Sequence, residues 1–216
     1  MFVVRGSLPE IIRNDEGVYD GDLKFYFRTI FFKAQNLQRG YHNFRHIFHV
    51  LWLCYQAVLF YRRRISSREG RNLLVGAMWH DFDHSGIRGN DDLNIVRAIR
   101  GFTSYIIEED KPYKDDIVSV IGYTEYPYKQ ETSSLPLLGQ IIRDADMGQT
   151  FAMAWLQQVV FGLAQEWGMS PVEILRSQPP FLRSVKFHTQ WGQEMFPQEQ
   201  VEAKIRESEE LIELLG

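Results

Sequence analysis

Tyr41-His42-Asn43-Phe44-Arg45-His46-Ile47-Phe48-His49-Val50-Leu51 opens a run of apolar residues that continues to Tyr61, and His80-Asp81-Phe82-Asp83-His84-Ser85-Gly86 closes the next apolar run. The apolar positions recur at helical spacing rather than alternating, so the first run predicts a helix over about Asn43 to Arg64 and the second a helix over about Gly70 to Asp83, stopped by Ser85-Gly86. Both tracts are expected to be helical. They hold five of the chain's six histidines.

Outward from these tracts the same period holds, and no segment alternates cleanly between turn signals. The chain is therefore expected to be all-α. Ser7-Leu8-Pro9 resembles a helix start, and a long helix is predicted over about Asp22 to Gln38, with Phe25 to Phe32 supplying its buried side and Gly40 stopping it. Asn90 or Asp91 is placed as cap of a helix through Ile99, Pro112 in the first turn of the next, and Tyr126 to Pro136 in a polar loop. Further helices are predicted over about Leu137 to Gly148, Thr150 to Trp167, Pro171 to Arg176, Pro180 to Met195 and Gln198 to Leu215. In the last, Val201, Ile205, Ser208, Leu211, Ile212 and Leu215 share a face.

With 216 residues and 44% hydrophobic content, residues 1–216 are expected to bury one core as a single domain. A net charge of −4 and a pI near 5.9 give no basic footprint for duplex nucleic acid. The single cysteine, Cys54, cannot form an internal disulfide and reads as a small core residue in a reducing compartment. Charged residues interrupt the N-terminal segment, and the longest apolar run is shorter than the roughly 20 residues that span a bilayer. The expectation is a cytoplasmic protein without a membrane partner, monomeric or homodimeric. Arg62-Arg63-Arg64 reads as a cationic helix end.

The chemistry lies in the histidines and carboxylates. His42 and His46 are four residues apart and fall on one helix face, with His42 at the helix edge and free to meet a substrate. His80 and Asp81 are about 100° apart on a helix and can converge on an ion at its C-terminal end. His84 returns one turn later. In Arg143-Asp144-Ala145-Asp146 either aspartate can close the shell, and spacing alone does not choose between them. Burying several imidazoles and carboxylates together without a cation would be costly, so the pattern points to metal coordination. His49 and His188 stand alone and read as core or polar residues.

Tyr41-His42-Asn43-x-x-His46, then His80-Asp81-x-Asp83-His84-x-Gly86, then Ala145-Asp146 resembles the HD-domain metal-dependent phosphohydrolase superfamily, and within it the catalytic core of the class I cyclic-nucleotide phosphodiesterases. The likeness covers about Tyr41 to Met147. It implies a compact multi-helix bundle around a central metal site. It also implies two divalent ions, Zn, Fe or Mn at a tight site held by His46, His80, Asp81 and Asp146, and Mg or Mn at a second reached by Asp81. It makes His42 the proton donor, gives His84, Thr124 and Asp92 water-holding roles at the second ion, and favours Asp146 over Asp144. Tyr41 is a candidate substrate contact.

The expected substrate is a small phosphate ester or nucleotide, with a cyclic nucleotide diester preferred because a poor leaving alkoxide benefits from a dedicated acid. Acyclic nucleotides and other phosphomonoesters fit the same motifs. The glutamine and phenylalanine that grip the base in the family have only Gln190, Gln193 and Phe196 as candidates, residues equally suited to packing on a late helix. Two other classes compete. A di-iron oxygenase of HD type would need extra histidines between His84 and Asp146, where there are none, and a non-catalytic nucleotide-binding module would be expected to have lost a ligand.

Overall fold

The computed structural model describes residues 6–89 and 91–215. Arg5, and Asn90 as a possible cap, lie outside the described residues. Among the described residues every regular element is helical. None of those helices is long and apolar enough to cross a membrane.

α1 (Leu8–Arg13) and α2 (Lys24–Lys33) lead into α3 (Phe44–Phe60), the central helix. Asn43 starts α3: its Oδ1 accepts the backbone N–H groups of Arg45 at 2.8 Å and His46 at 3.2 Å, satisfying donors that the first helical turn leaves free. Most of α3 from His46 to Val58 is buried. α4 (Ser67–Trp79) begins with reciprocal Ser66 and Glu69 hydrogen bonds and is buried from Gly70 to Trp79. α5 (Asp91–Tyr105), a 3-10 turn at Glu108–Tyr113 and α6 (Lys114–Gly122) follow, then α7 (Leu137–Gly148). α3 packs against α4 and α7, and α4 against α6. His46, the His80 end of α4 and the Asp146 end of α7 thereby come together inside the bundle.

A π-helical segment, Leu156–Phe161, runs into α8 (Gly162–Trp167), and α9 (Pro171–Ser184), α10 (Gln190–Met195) and α11 (Gln198–Leu214) complete the chain. Trp155, Val159, Val160, Ala164, Ile174 and Leu175 form a second apolar cluster here. Cys54 is a free, buried thiol in the main core.

Several expectations are corrected. α2 is ten residues long and stops at Ala34, well before Gln38, and only Tyr26 and Ile30 of its length are buried. Phe25, Phe31 and Phe32 are exposed, because an i, i+4 pair sets the inward face. The second motif is not helical: α4 ends at Trp79, His80 caps it, and Asp83 takes a left-handed backbone with φ +57°. α5 runs past Ile99 to Tyr105, Pro112 falls in the 3-10 turn, and α9 continues through Pro179 and Pro180 to Ser184. On α11 Val201 and Ser208 are buried, whereas Leu215 is exposed.

The 3-10 turn carries a charged anchor. Asp110 is fully buried and receives both arms of the Arg71 guanidinium at 2.8 Å, Arg68 Nη2 at 2.5 Å and the Tyr26 hydroxyl at 2.8 Å. Arg71 also donates to the carbonyls of Asp20 and Asp22. Burial alone would raise the Asp110 pKa, but the hydrogen bonds from Arg71 and Arg68 hold it below the usual carboxylate value. Its contribution is present above the unfolded-chain value near pH 4 and is lost as pH falls through the lower folded value. Asp110→Ala leaves Arg71 buried and uncompensated, so urea unfolding should show a loss of roughly 3 to 5 kcal/mol; an unchanged midpoint would contradict this account.

Candidate metal centre

Four side chains from three elements meet at one point. His46 Nε2, in the first turn of α3, lies 3.0 Å from Asp146 Oδ1 and 3.2 Å from Asp81 Oδ2. His80 Nε2 lies 3.4 Å from Asp81 Oδ2, 3.8 Å from Asp146 Oδ1 and 3.3 Å from His46 Nε2. Both histidines are 1% exposed, out of reach of bulk water.

The outward ring nitrogens fix the tautomers. The Ala77 carbonyl can only accept, so His80 Nδ1–H donates to it at 2.7 Å, and Gln149 Oε1 takes the His46 Nδ1–H at 2.6 Å. Gln149 is itself held by Gln158, to whose Oε1 its Nε2 donates at 2.8 Å. In the neutral rings, the two Nε2 lone pairs face each other and two carboxylates. Asp81 Oδ2 is buried and makes no hydrogen bond among the described residues.

This donor set fits a divalent cation. Imidazole and carboxylate ligands bind at about 2.0 to 2.2 Å, which places neighbouring donor atoms roughly 3.0 to 3.4 Å apart around a shared ion, and four of the five separations given above among the His46, His80, Asp81 and Asp146 donor atoms fall in that range. The electrostatics ask for positive charge. Burial pulls the His46 pKa down, yet Asp146 and Asp81 overcome it and lift it to about 10. Asp81, which burial would raise, is held well below its ordinary value by His80, His42 and His46. Imidazole with carboxylate oxygen suits Zn, Fe or Mn. Because the partner of an imidazole ligand fixes its orientation, Gln149→Leu should weaken metal binding by about 10- to 100-fold in a chelator competition. Affinity equal to the parent's would show that Gln149 has no such part.

Beside the cluster, His42 Nδ1 lies 2.5 Å from Glu166 Oε1, while Glu166 Oε2 accepts the backbone N–H groups of Tyr41 at 2.9 Å and His42 at 3.1 Å. Burial would raise the Glu166 pKa, but its bonds to His42 depress it to about 2, so it stays a carboxylate. Burial lowers the His42 pKa, opposed by Asp81 and Glu166. With Nδ1 committed to Glu166, Nε2 is the ring nitrogen left without that partner. The ring stacks on His84, centroids 3.5 Å apart and planes 21° from parallel. His42, His84 and Glu166 also have ligand-type atoms near one another, but the rings lie face to face, and the Gly86 N–H donates to His84 Nδ1 at 3.0 Å.

Glu166 reaches this place because α8 touches the His42 segment backbone to backbone. A side chain on Gly40 would meet the Gly162 carbonyl oxygen at 2.1 Å, and one on Gly162 would meet that of Gly40 at 2.6 Å. Gly40, expected as a helix stop, is a contact point.

No family model and no curated protein matches this chain. Its function has to be read from the site itself.

The other candidate residues fall in varied places. Tyr41 borders the centre, its ring 4.8 Å from that of His46. Thr124 is buried and donates to the Ile121 carbonyl. Asp92 is exposed, and it is Asp91 that approaches His84, at 3.8 Å. Asp144 lies away from the cluster of His46, His80, Asp81 and Asp146: it accepts from the His188 and Thr189 backbones and the Thr189 hydroxyl, fastening the start of α10. Gln190 and Gln193 are exposed and bond to Glu194 and the Phe187 carbonyl, and Phe196 is core, stacked on Phe187 at 4.6 Å. Their contacts are those of a packed late helix.

Sequence reasoning missed Glu166, Gln149 and Asn36. Asn36 is 1% exposed and joins the two motifs: its Nδ2 donates to the carbonyls of His42 at 2.8 Å and Asp81 at 2.7 Å, and its Oδ1 accepts the Asp83 N–H at 3.0 Å. Tyr128 was also missed; its buried hydroxyl has no hydrogen-bond partner among the described residues, and burial with Asp146 nearby raises its pKa. Only Gln149 carried a local signal, as a polar residue three places after Asp146.

Proposed function

We propose that this chain is a metal-dependent phosphohydrolase of the HD type, with a cyclic nucleotide 3',5'-phosphodiester as its first candidate substrate. The observation that carries the reading is the meeting of His46, His80, Asp81 and Asp146 donor atoms, with a Glu166-held imidazole at their edge. Such an arrangement combines an electrophilic centre with a proton donor, the two parts that phosphoester hydrolysis needs.

Divalent ions bound by His46, His80, Asp81 and Asp146 would supply Lewis acidity toward phosphoryl oxygens and lower the pKa of a bound water. The chain's own residues do the rest. Ala77 and Gln149 keep the two imidazoles turned inward. His42, in its protonated form, gives the Nε2 proton to the departing sugar oxygen. The Glu166 carboxylate holds the ring and stabilises the imidazolium before transfer. Tyr41 walls the site beside both histidines.

A hydrolysis screen with Mn, Mg, Zn or Fe over cyclic mono- and dinucleotides, nucleoside mono- and triphosphates and phosphosugars tests this. Turnover of a cyclic diester that falls in His42→Ala supports the reading. Turnover confined to monoesters would move the substrate to the acyclic class, and no hydrolysis with any metal would remove the enzymatic reading.

A further inference from the structure

We propose that a groove between α2 and α5 is a binding site for a small polyanion built of linked phosphates. The groove is a cavity of about 620 Å³, within the size range of small-ligand sites. Lys33 at the end of α2, Arg39 in the connection to α3, and Arg97 and Arg100 on α5 line it. Arg97 and Arg100 are three residues apart and rise from neighbouring positions of one helix.

These four cations are unmatched. Lys33, Arg39 and Arg100 have no side-chain ion pair or hydrogen bond among the described residues, and the Arg97 side chain makes a single long contact, 3.5 Å to the Asp83 carbonyl. The carboxylate that lines the groove, Asp83, already accepts the Gln35 N–H at 2.8 Å. A chain of net charge −4 thus gathers four positive groups on one concave wall, where like charges repel and field lines are focused. An anion with several charges relieves that repulsion. Guanidinium forks match phosphate oxygens in pairs. Enclosure by three elements suits a compact ligand better than an extended nucleic-acid strand. Asn36 and His84 belong both to this wall and to the surroundings of the metal centre, so a bound anion would rest against the segment that carries His42 and Asp81.

Calorimetric titration of the full chain with inorganic tripolyphosphate, and in parallel with ATP, tests the site by binding alone, whatever the centre hydrolyses. Binding is expected to weaken at least about tenfold in Arg97→Ala/Arg100→Ala, since two charge-assisted contacts are lost, and to weaken as salt is raised. The exposed pair Arg62→Ala/Arg63→Ala, with the same change of net charge, should bind like the parent. Tighter binding of ATP would assign the site to a nucleotide, and equal binding to the phosphate chain; either supports the proposal. It is overturned if the parent binds neither probe or if Arg97→Ala/Arg100→Ala binds as the parent does, which would place the anion at the metal centre. Equal loss in the Arg62/Arg63 control, or preference for a single-stranded oligonucleotide, overturns it as well.

Discussion

Asp81→Ala is expected to leave a folded protein that no longer retains metal and no longer turns over substrate. Asp81 Oδ2 faces both imidazoles, 3.2 Å from His46 Nε2 and 3.4 Å from His80 Nε2, and has no hydrogen-bond donor of its own. Removing it deletes one of the two carboxylates that would offset a divalent charge. The backbone there is held independently, through the Asn36 bond to the Asp81 carbonyl, so the loop should keep its shape. Elemental analysis after gel filtration should show metal lost, and turnover should drop by at least about 10³-fold, the upper end for one electrostatic donor at a reacting centre. Full metal retention would mean that Asp81 is not one of the ligands.

The second large effect separates proton transfer from metal binding. His42→Ala removes the ring that Glu166 holds, while His46, His80, Asp81 and Asp146 keep all their contacts with one another. Metal content should stay at the parent level, and turnover of an alkyl phosphodiester should fall by about 10² to 10⁴, the usual range for a lost general acid. A substrate with a nitrophenolate leaving group needs little protonation as it departs, so its turnover should fall far less. Glu166→Gln keeps a hydrogen-bonding partner but loses the charge that favours imidazolium, and should show the same leaving-group dependence in milder form. Equal losses for both substrates would remove His42 from the proton-transfer step and make it a wall residue.

The choice of Asp146 over Asp144 is made by the packing, while the sequence by itself determined the helical character of the chain, the extent of α7 and the tracts whose histidines and aspartates meet. Those properties are local: period, a capping residue such as Asn43, and donor chemistry are written within a few residues of where they act. What surrounds the centre is not local. Glu166 lies 124 positions from His42 and 1% exposed in its side chain, and nothing near it in the chain distinguishes it from other helix glutamates.

Tertiary structure also decided the backbone of the second motif. The apolar period through Trp79 predicts a helix continuing to Asp83, but Asn36 draws the carbonyl of Asp81 and the N–H of Asp83 into its own hydrogen bonds, and the chain turns there instead. The Phe25 to Phe32 stretch shows the same limit, since hydrophobicity alone did not say which of its rings the core had room for. Pairings between residues far apart depend on how whole helices pack, and packing selects one face and one partner among many that the residue types alone would allow.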